Sequence, residues 1–179
     1  MKIIKRIQIG DKMADLRRLS KEEMFTILGG TGDGCCCYDV IAELWQIFAG
    51  PNAPSASQIK ESFTNYMNME VAAGNEDCRM NGGDPTLAQL GYLRYWMDSQ
   101  SVFEVGSIVS GGSNGTLNFG VLPGNNEGSW HAVIIDGQLS TGDYYYVRDT
   151  SNGQSYTVPK SALRFSMSVS EETDYRDSF

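Results

Sequence analysis

The chain has 179 residues, 41% hydrophobic and 20% charged, enough for one globular domain with little to spare. Its net charge of −8 argues against nucleic-acid and anionic-membrane binders, which rely on surplus Lys and Arg. No apolar run approaches the roughly 18 residues needed to span a bilayer, so neither a nucleic-acid partner nor membrane insertion is expected.

The charge is unevenly spread. Residues 1–30 carry seven Lys/Arg against four acids, a net of +3, whereas the rest carries seven against eighteen, a net of −11. The break falls at Gly29-Gly30 and separates a short module, 1–30, from a folded domain, 31–179. Within the module, LSKEEMFTILGG suits a short amphipathic helix: Ser20 caps it, Glu23 stands three residues later, and Met24, Ile27 and Leu28 share a face. The competing reading is an ordinary first helix closed by a glycine cap.

After the glycine-rich turn 31–34 comes CCCYDVIAELWQIFAG. Its apolar residues Val40, Ile41, Leu44, Trp45 and Phe48 recur at helical spacing, and Gly50-Pro51 ends the run. The cysteines therefore open a buried helix. Residues 57–72 (Ile59, Phe63, Tyr66, Met67, Val71) and 85–97 (Leu87, Leu90, Leu93, Met97) repeat the pattern. From about residue 101 the texture changes to β-branched and aromatic runs, VFEVGSIV, TLNFGVL, WHAVIID, YYYVRD and QSYTV, separated by GGSNG, GNNEG, LSTG and TSNG. The spacing predicts an α+β fold, a helical N-terminal half packed on an antiparallel sheet, with residues 170–179 as a frayed acidic tail.

The chain has one histidine, His131, opening the most apolar strand. A lone strand histidine is commonly structural, but two features stand in useful relation to it. The cysteine cluster lies at a helix N-terminus, whose positive dipole end favours a thiolate. Asp149 closes the following strand, so a hairpin sets it beside His131 to fix the imidazole's orientation. Asp136 is the rival acid, but five residues along the same strand is about 17 Å, too far. Trp130, next to His131, either shields the ring or fills core, and core is the preferred reading. A metal site is not expected, because adjacent cysteines cannot easily share one ion.

A cysteine opening the first core helix, a helical half, then His on a strand and Asp soon after resembles the order of papain-like (clan CA) cysteine peptidases over residues 33–163, closest to bacterial bacteriocin-processing enzymes. The resemblance implies a papain-like fold, a peptide or protein substrate, no cofactor, and a Cys-His-Asp triad of Cys36 or Cys37, His131 and Asp149. Cys36 fits the bacterial pattern with Val40 and Leu44, Cys37 gives the papain-like Cys-aromatic pair with Tyr38, and Cys35 ranks third. The family's glutamine before the nucleophile has no counterpart between Gly29 and Cys35. Thr31, Asp33, Gln58, Gln89 and the nucleophile's own N–H stand as candidate oxyanion donors. The resemblance also suggests a disulfide from Cys35 or Cys37 to Cys78, with a buried thiol as the alternative.

Residues 1–30 are similar to the double-glycine leaders of bacteriocin-type exported peptides, which a peptidase-containing ABC transporter recognises and cuts. Leu19, Met24, Ile27, Gly29 and Gly30 occupy the matching positions, implying secretion after cleavage following Gly30. Two rival functions share this frame: a cell-wall amidase or peptidoglycan hydrolase, and a non-catalytic bacteriocin-like secreted protein.

Overall fold

The computed structural model describes residues 36–81, 85–124 and 129–172. Residues 1–30, the glycine pair, Thr31, Asp33 and Cys35 lie outside the described residues, as do residues 173–179 of the expected tail.

The helical half follows the apolar spacing. Helix α1 (Cys36–Ala49) buries Cys37, Tyr38, Val40, Ile41, Ala42 and Leu44. It stops at Gly50, whose φ of +83° is the left-handed conformation that favours glycine, and whose N–H donates to Gln46 O at 3.0 Å. Helix α2 (Ala56–Ala72) begins with a capping box: Ser55 Oγ accepts the Gln58 N–H, and Gln58 Oε1 accepts the Ser55 N–H at 2.9 Å. Helix α3 (Leu90–Asp98) starts later than the apolar spacing alone suggests. Residues Leu87–Gln89 form a separate tighter turn with Thr86 and Gln89 as its own capping box. Phe63 of α2 meets Trp96 of α3 edge-on at 5.6 Å and Tyr38 of α1 at 6.4 Å, which locks the three helices together.

The second half forms one antiparallel sheet. Its strands are β1 (Phe103–Val105), β2 (Val109–Ser110), β3 (Leu117–Pro123), β4 (Trp130–Thr141), β5 (Tyr144–Asp149), β6 (Gln154–Pro159) and β7 (Phe165–Glu171). The spatial order is β1-β7-β3-β4-β5-β6, with β2 also on β7. The strand last in sequence thus lies inside the sheet. It pairs Met167 with Phe119 and Val169 with Leu117 on one side, and Val169 with Val105 on the other. This corrects the expected tail from residue 170: Ser170 and Glu171 are paired with Glu104 and Phe103. Strand β4 also runs past the turn expected at 139–142. Asp136 Oδ1 accepts the N–H groups of Gln138 and Leu139 at 2.8 and 3.0 Å, absorbing an irregularity in the ladder while pairing with β5 resumes at Thr141.

Both faces of β4 are covered, which is why WHAVIID reads as a continuous apolar run rather than an alternating one. Ala132 and Ile134 join Phe119, Val121, Met167 and the helices in the main core. Val133 and Ile135 face the other way into a smaller core with Leu122, Val147, Tyr156, Val158 and Leu163. An ion pair between Glu43 and Arg148 at 2.7 Å ties α1 to β5. No helix among the described residues is long and apolar enough to cross a membrane.

Candidate functional site

The site lies where α1 begins and β4 begins. Cys36 is the first residue of α1, so its sulphur stands at the positive end of a helix of 14 residues, where a thiolate is favoured. Its Sγ accepts the backbone N–H of Ala132 at 3.5 Å. Strand topology explains why that N–H is available. The β4–β5 register sets Ile134 opposite Arg148, and one further step brings Val133 opposite Asp149, where β5 ends. Ala132 therefore lies past the end of the β5 ladder, and the thiol takes a donor that a longer strand would have taken.

Residues His131 and Asp149 meet at the adjoining ends of β4 and β5, beside the Ala132 N–H that Cys36 Sγ accepts. His131 Nε2 stands 3.1 Å from Asp149 Oδ2, with the two side chains 3% and 0% exposed. The approach is close but not along the N–H direction, since Nε2 makes no well-directed hydrogen bond.

The Asp149 carboxylate has further partners. Its Oδ1 accepts the N–H of Ser151 at 3.0 Å and the Ser151 hydroxyl at 2.6 Å, and its Oδ2 accepts Asn152 Nδ2 at 3.0 Å. Burial works to raise the Asp149 carboxyl, but the contacts with His131 and Ser151 outweigh it and hold the group below the usual carboxylate range. Asp149 is thus an anion sealed from water beside an imidazole. Tyr156 of β6 lies near Asp149. Burial and the Asp149 charge push its phenol far above the ordinary range, and its hydroxyl has no hydrogen-bond partner among the described residues.

The other sequence candidates take structural places. Cys37, one step along α1, is 0% exposed and belongs to the main core, whereas Cys36 is partly exposed. Cys78 and Cys37 are both thiols, so no disulfide joins them. Cys78 is buried, and the Tyr92 hydroxyl hydrogen-bonded to it is held above its ordinary range, first by that bond. Trp130 packs against the main core, and its Nε1 donates to Pro85 O at 3.1 Å, anchoring the start of β4. Gln58 is committed to the α2 cap. Gln89 Nε2 donates to Asp77 O and Arg79 O at 2.9 and 3.3 Å. The donor end of Gln89 is thus occupied, and Gln58 is held at the start of α2 through its Oε1.

Sequence reasoning missed Ser151 and Asn152. Their signal is legible in hindsight, since Asp-Thr-Ser-Asn-Gly is a composition that hydrogen-bonds an aspartate to the turn that follows it. Among the described residues, no three His, Cys, Asp or Glu side chains converge as a metal site.

Searches of protein-family models, curated proteins and solved structures return no match for this chain.

Proposed function

We propose that the chain is a papain-like cysteine peptidase that hydrolyses a peptide bond through Cys36, His131 and Asp149. One observation carries this reading: a thiol at a helix N-terminus is bonded to the N–H of Ala132, the residue after a buried histidine that faces a buried carboxylate.

In this reading the Cys36 thiol gives its proton to His131, and the thiolate attacks the carbonyl carbon of the substrate. The negative charge of Asp149 stabilises the imidazolium and fixes its plane. His131 returns the proton to the departing amine as the C–N bond breaks, leaving an acyl group on Sγ. His131 then takes a proton from water, whose oxygen attacks the thioester carbon, and the thiol is regenerated as the acid leaves. In this reading the nucleophile's own backbone N–H, at the first turn of α1, is an oxyanion donor.

Residues 1–30 complete the proposal as a double-glycine leader, recognised by a peptidase-containing ABC transporter through Leu19, Met24, Ile27, Gly29 and Gly30 and removed after Gly30, with the domain secreted. The charge break at the glycine pair supports this.

Cleavage of a fluorogenic peptide library by wild type, lost in Cys36→Ala, is the expected result. Hydrolysis of peptidoglycan fragments with no peptide turnover would instead move the scissile bond to the cell-wall amidase reading.

A further inference from the structure

The turn between β5 and β6 does more than reverse the chain. Asp149 ends β5, its C=O accepts the N–H of Gly153 at 2.9 Å, and Gly153 takes a φ of +69° to close the loop. Inside that loop the carboxylate receives three donors from the next three residues: two from Ser151 on Oδ1 and one from Asn152 on Oδ2. His131 approaches the same Oδ2 from the neighbouring strand. A carboxylate offers about four lone-pair positions; three are taken by the turn, and the oxygen nearest His131 keeps one open.

We infer that this turn is a carboxylate clamp, with Ser151 and Asn152 as positioning residues that present one fixed oxygen of Asp149 to His131. The inference rests on the function proposed above.

The physical argument has two parts. An aspartate held only by its backbone rotates about its last single bond and offers either oxygen to a partner. Ser151 occupies Oδ1 twice, so Oδ1 is turned toward the loop and Oδ2 toward His131. Asn152 Nδ2 donates to Oδ2 at 3.0 Å, and His131 Nε2 stands 3.1 Å from the same oxygen. Hydrogen bonds to a carboxylate also lower its appetite for a proton. The proton that moves from thiol to imidazole therefore stays on the imidazole, and His131 remains the group that exchanges protons with Cys36 and substrate. Exposure separates the roles further: Ser151 and Asn152 are exposed while Asp149 is fully buried. The donors can be removed by substitution without opening a cavity.

The test is the rate of iodoacetamide alkylation at Cys36, mapped by peptide mass spectrometry across pH 5–10. It uses the full chain as wild type, Asn152→Ala, Ser151→Ala/Asn152→Ala and Ser151→Thr, with melting temperature followed in parallel. Wild type is expected to label rapidly at pH 6. Asn152→Ala should lose about tenfold and the double variant about a hundredfold there, the range typical of removing groups that orient a working side chain. All should come within about twofold at pH 9.5, where a thiol ionises unaided. Ser151→Thr, which keeps the hydroxyl, should follow wild type. Variant profiles that overlay wild type would overturn the clamp alone. Equal losses at pH 6 and pH 9.5 would overturn it too, by showing general damage to the fold. A wild-type Cys36 that is unreactive at pH 6 would overturn the proposed function itself, and the clamp with it.

Discussion

His131 Nε2 faces Asp149 Oδ2 at 3.1 Å, with both side chains 3% exposed or less. Such a pair is costly to bury unless each charge has partners, and Asp149 has them in Ser151 and Asn152. In the proposed function the Asp149 charge favours the imidazolium form of His131.

Asp149→Asn tests the carboxylate directly. The substitution keeps size and removes charge, so peptide hydrolysis should fall about 10²- to 10⁴-fold, with the effect mainly in kcat. Steady-state kinetics of the two proteins check this.

The same carboxylate makes stability depend on pH. Its folded value is held below the ordinary one, so the unfolded chain binds the proton first as pH falls. The stabilisation is fully present above the ordinary aspartate value of about 4 and is lost as pH falls through the folded value. Melting temperatures measured from pH 7 to pH 2 should converge for wild type and Asp149→Asn at the acid end.

Cys36 and Cys37 should separate cleanly. Cys36→Ala should abolish turnover and leave the melting temperature nearly unchanged, because the side chain is only partly buried. Cys37→Ala should keep turnover and cost about 1–2 kcal/mol, as expected for emptying part of a packed site. Activity assays with thermal or urea unfolding read both outcomes.

Tyr156 predicts an alkaline effect of opposite direction to that of Asp149. Its folded phenol is raised, first by burial and then by the charge of Asp149. Stability is therefore intact below the ordinary phenol value of about 10 and declines above it, as the unfolded chain releases a proton that the folded chain retains. Tyr156→Phe should lessen that decline. It should also raise stability at neutral pH by up to about 1 kcal/mol, since the buried hydroxyl has no partner to lose. Unfolding curves at pH 7 and pH 10.5 decide it.

Much of this arrangement is legible in the sequence because it is local. The hairpin of β4 and β5 is joined by a short turn, so an acid at the end of the second strand falls near a histidine at the start of the first. The three helices announce themselves by spacing, and Gly50 marks where the first one stops. What the sequence conceals is nonlocal. Strand β7 inserts between β1 and β3, more than forty residues away in sequence, and its modest Phe-Ser-Met-Ser-Val alternation gives no hint of the partners. The choice between Cys36 and Cys37 is concealed for a different reason. One residue turns a helix by about 100°, and only packing in the main core decides which thiol is buried. The roles of Ser151 and Asn152 depend on a carboxylate two or three residues back being buried, which composition does not reveal.

The central claim is that Cys36 is a thiolate paired with the imidazolium of His131. Its most direct test is substoichiometric iodoacetamide labelling of wild type and His131→Ala at pH 6, followed by peptide mapping, since an ordinary thiol scarcely reacts there. Rapid and selective labelling of Cys36, lost in His131→Ala, is the predicted result. Slow, uniform labelling of all the cysteines, indifferent to His131, would contradict it.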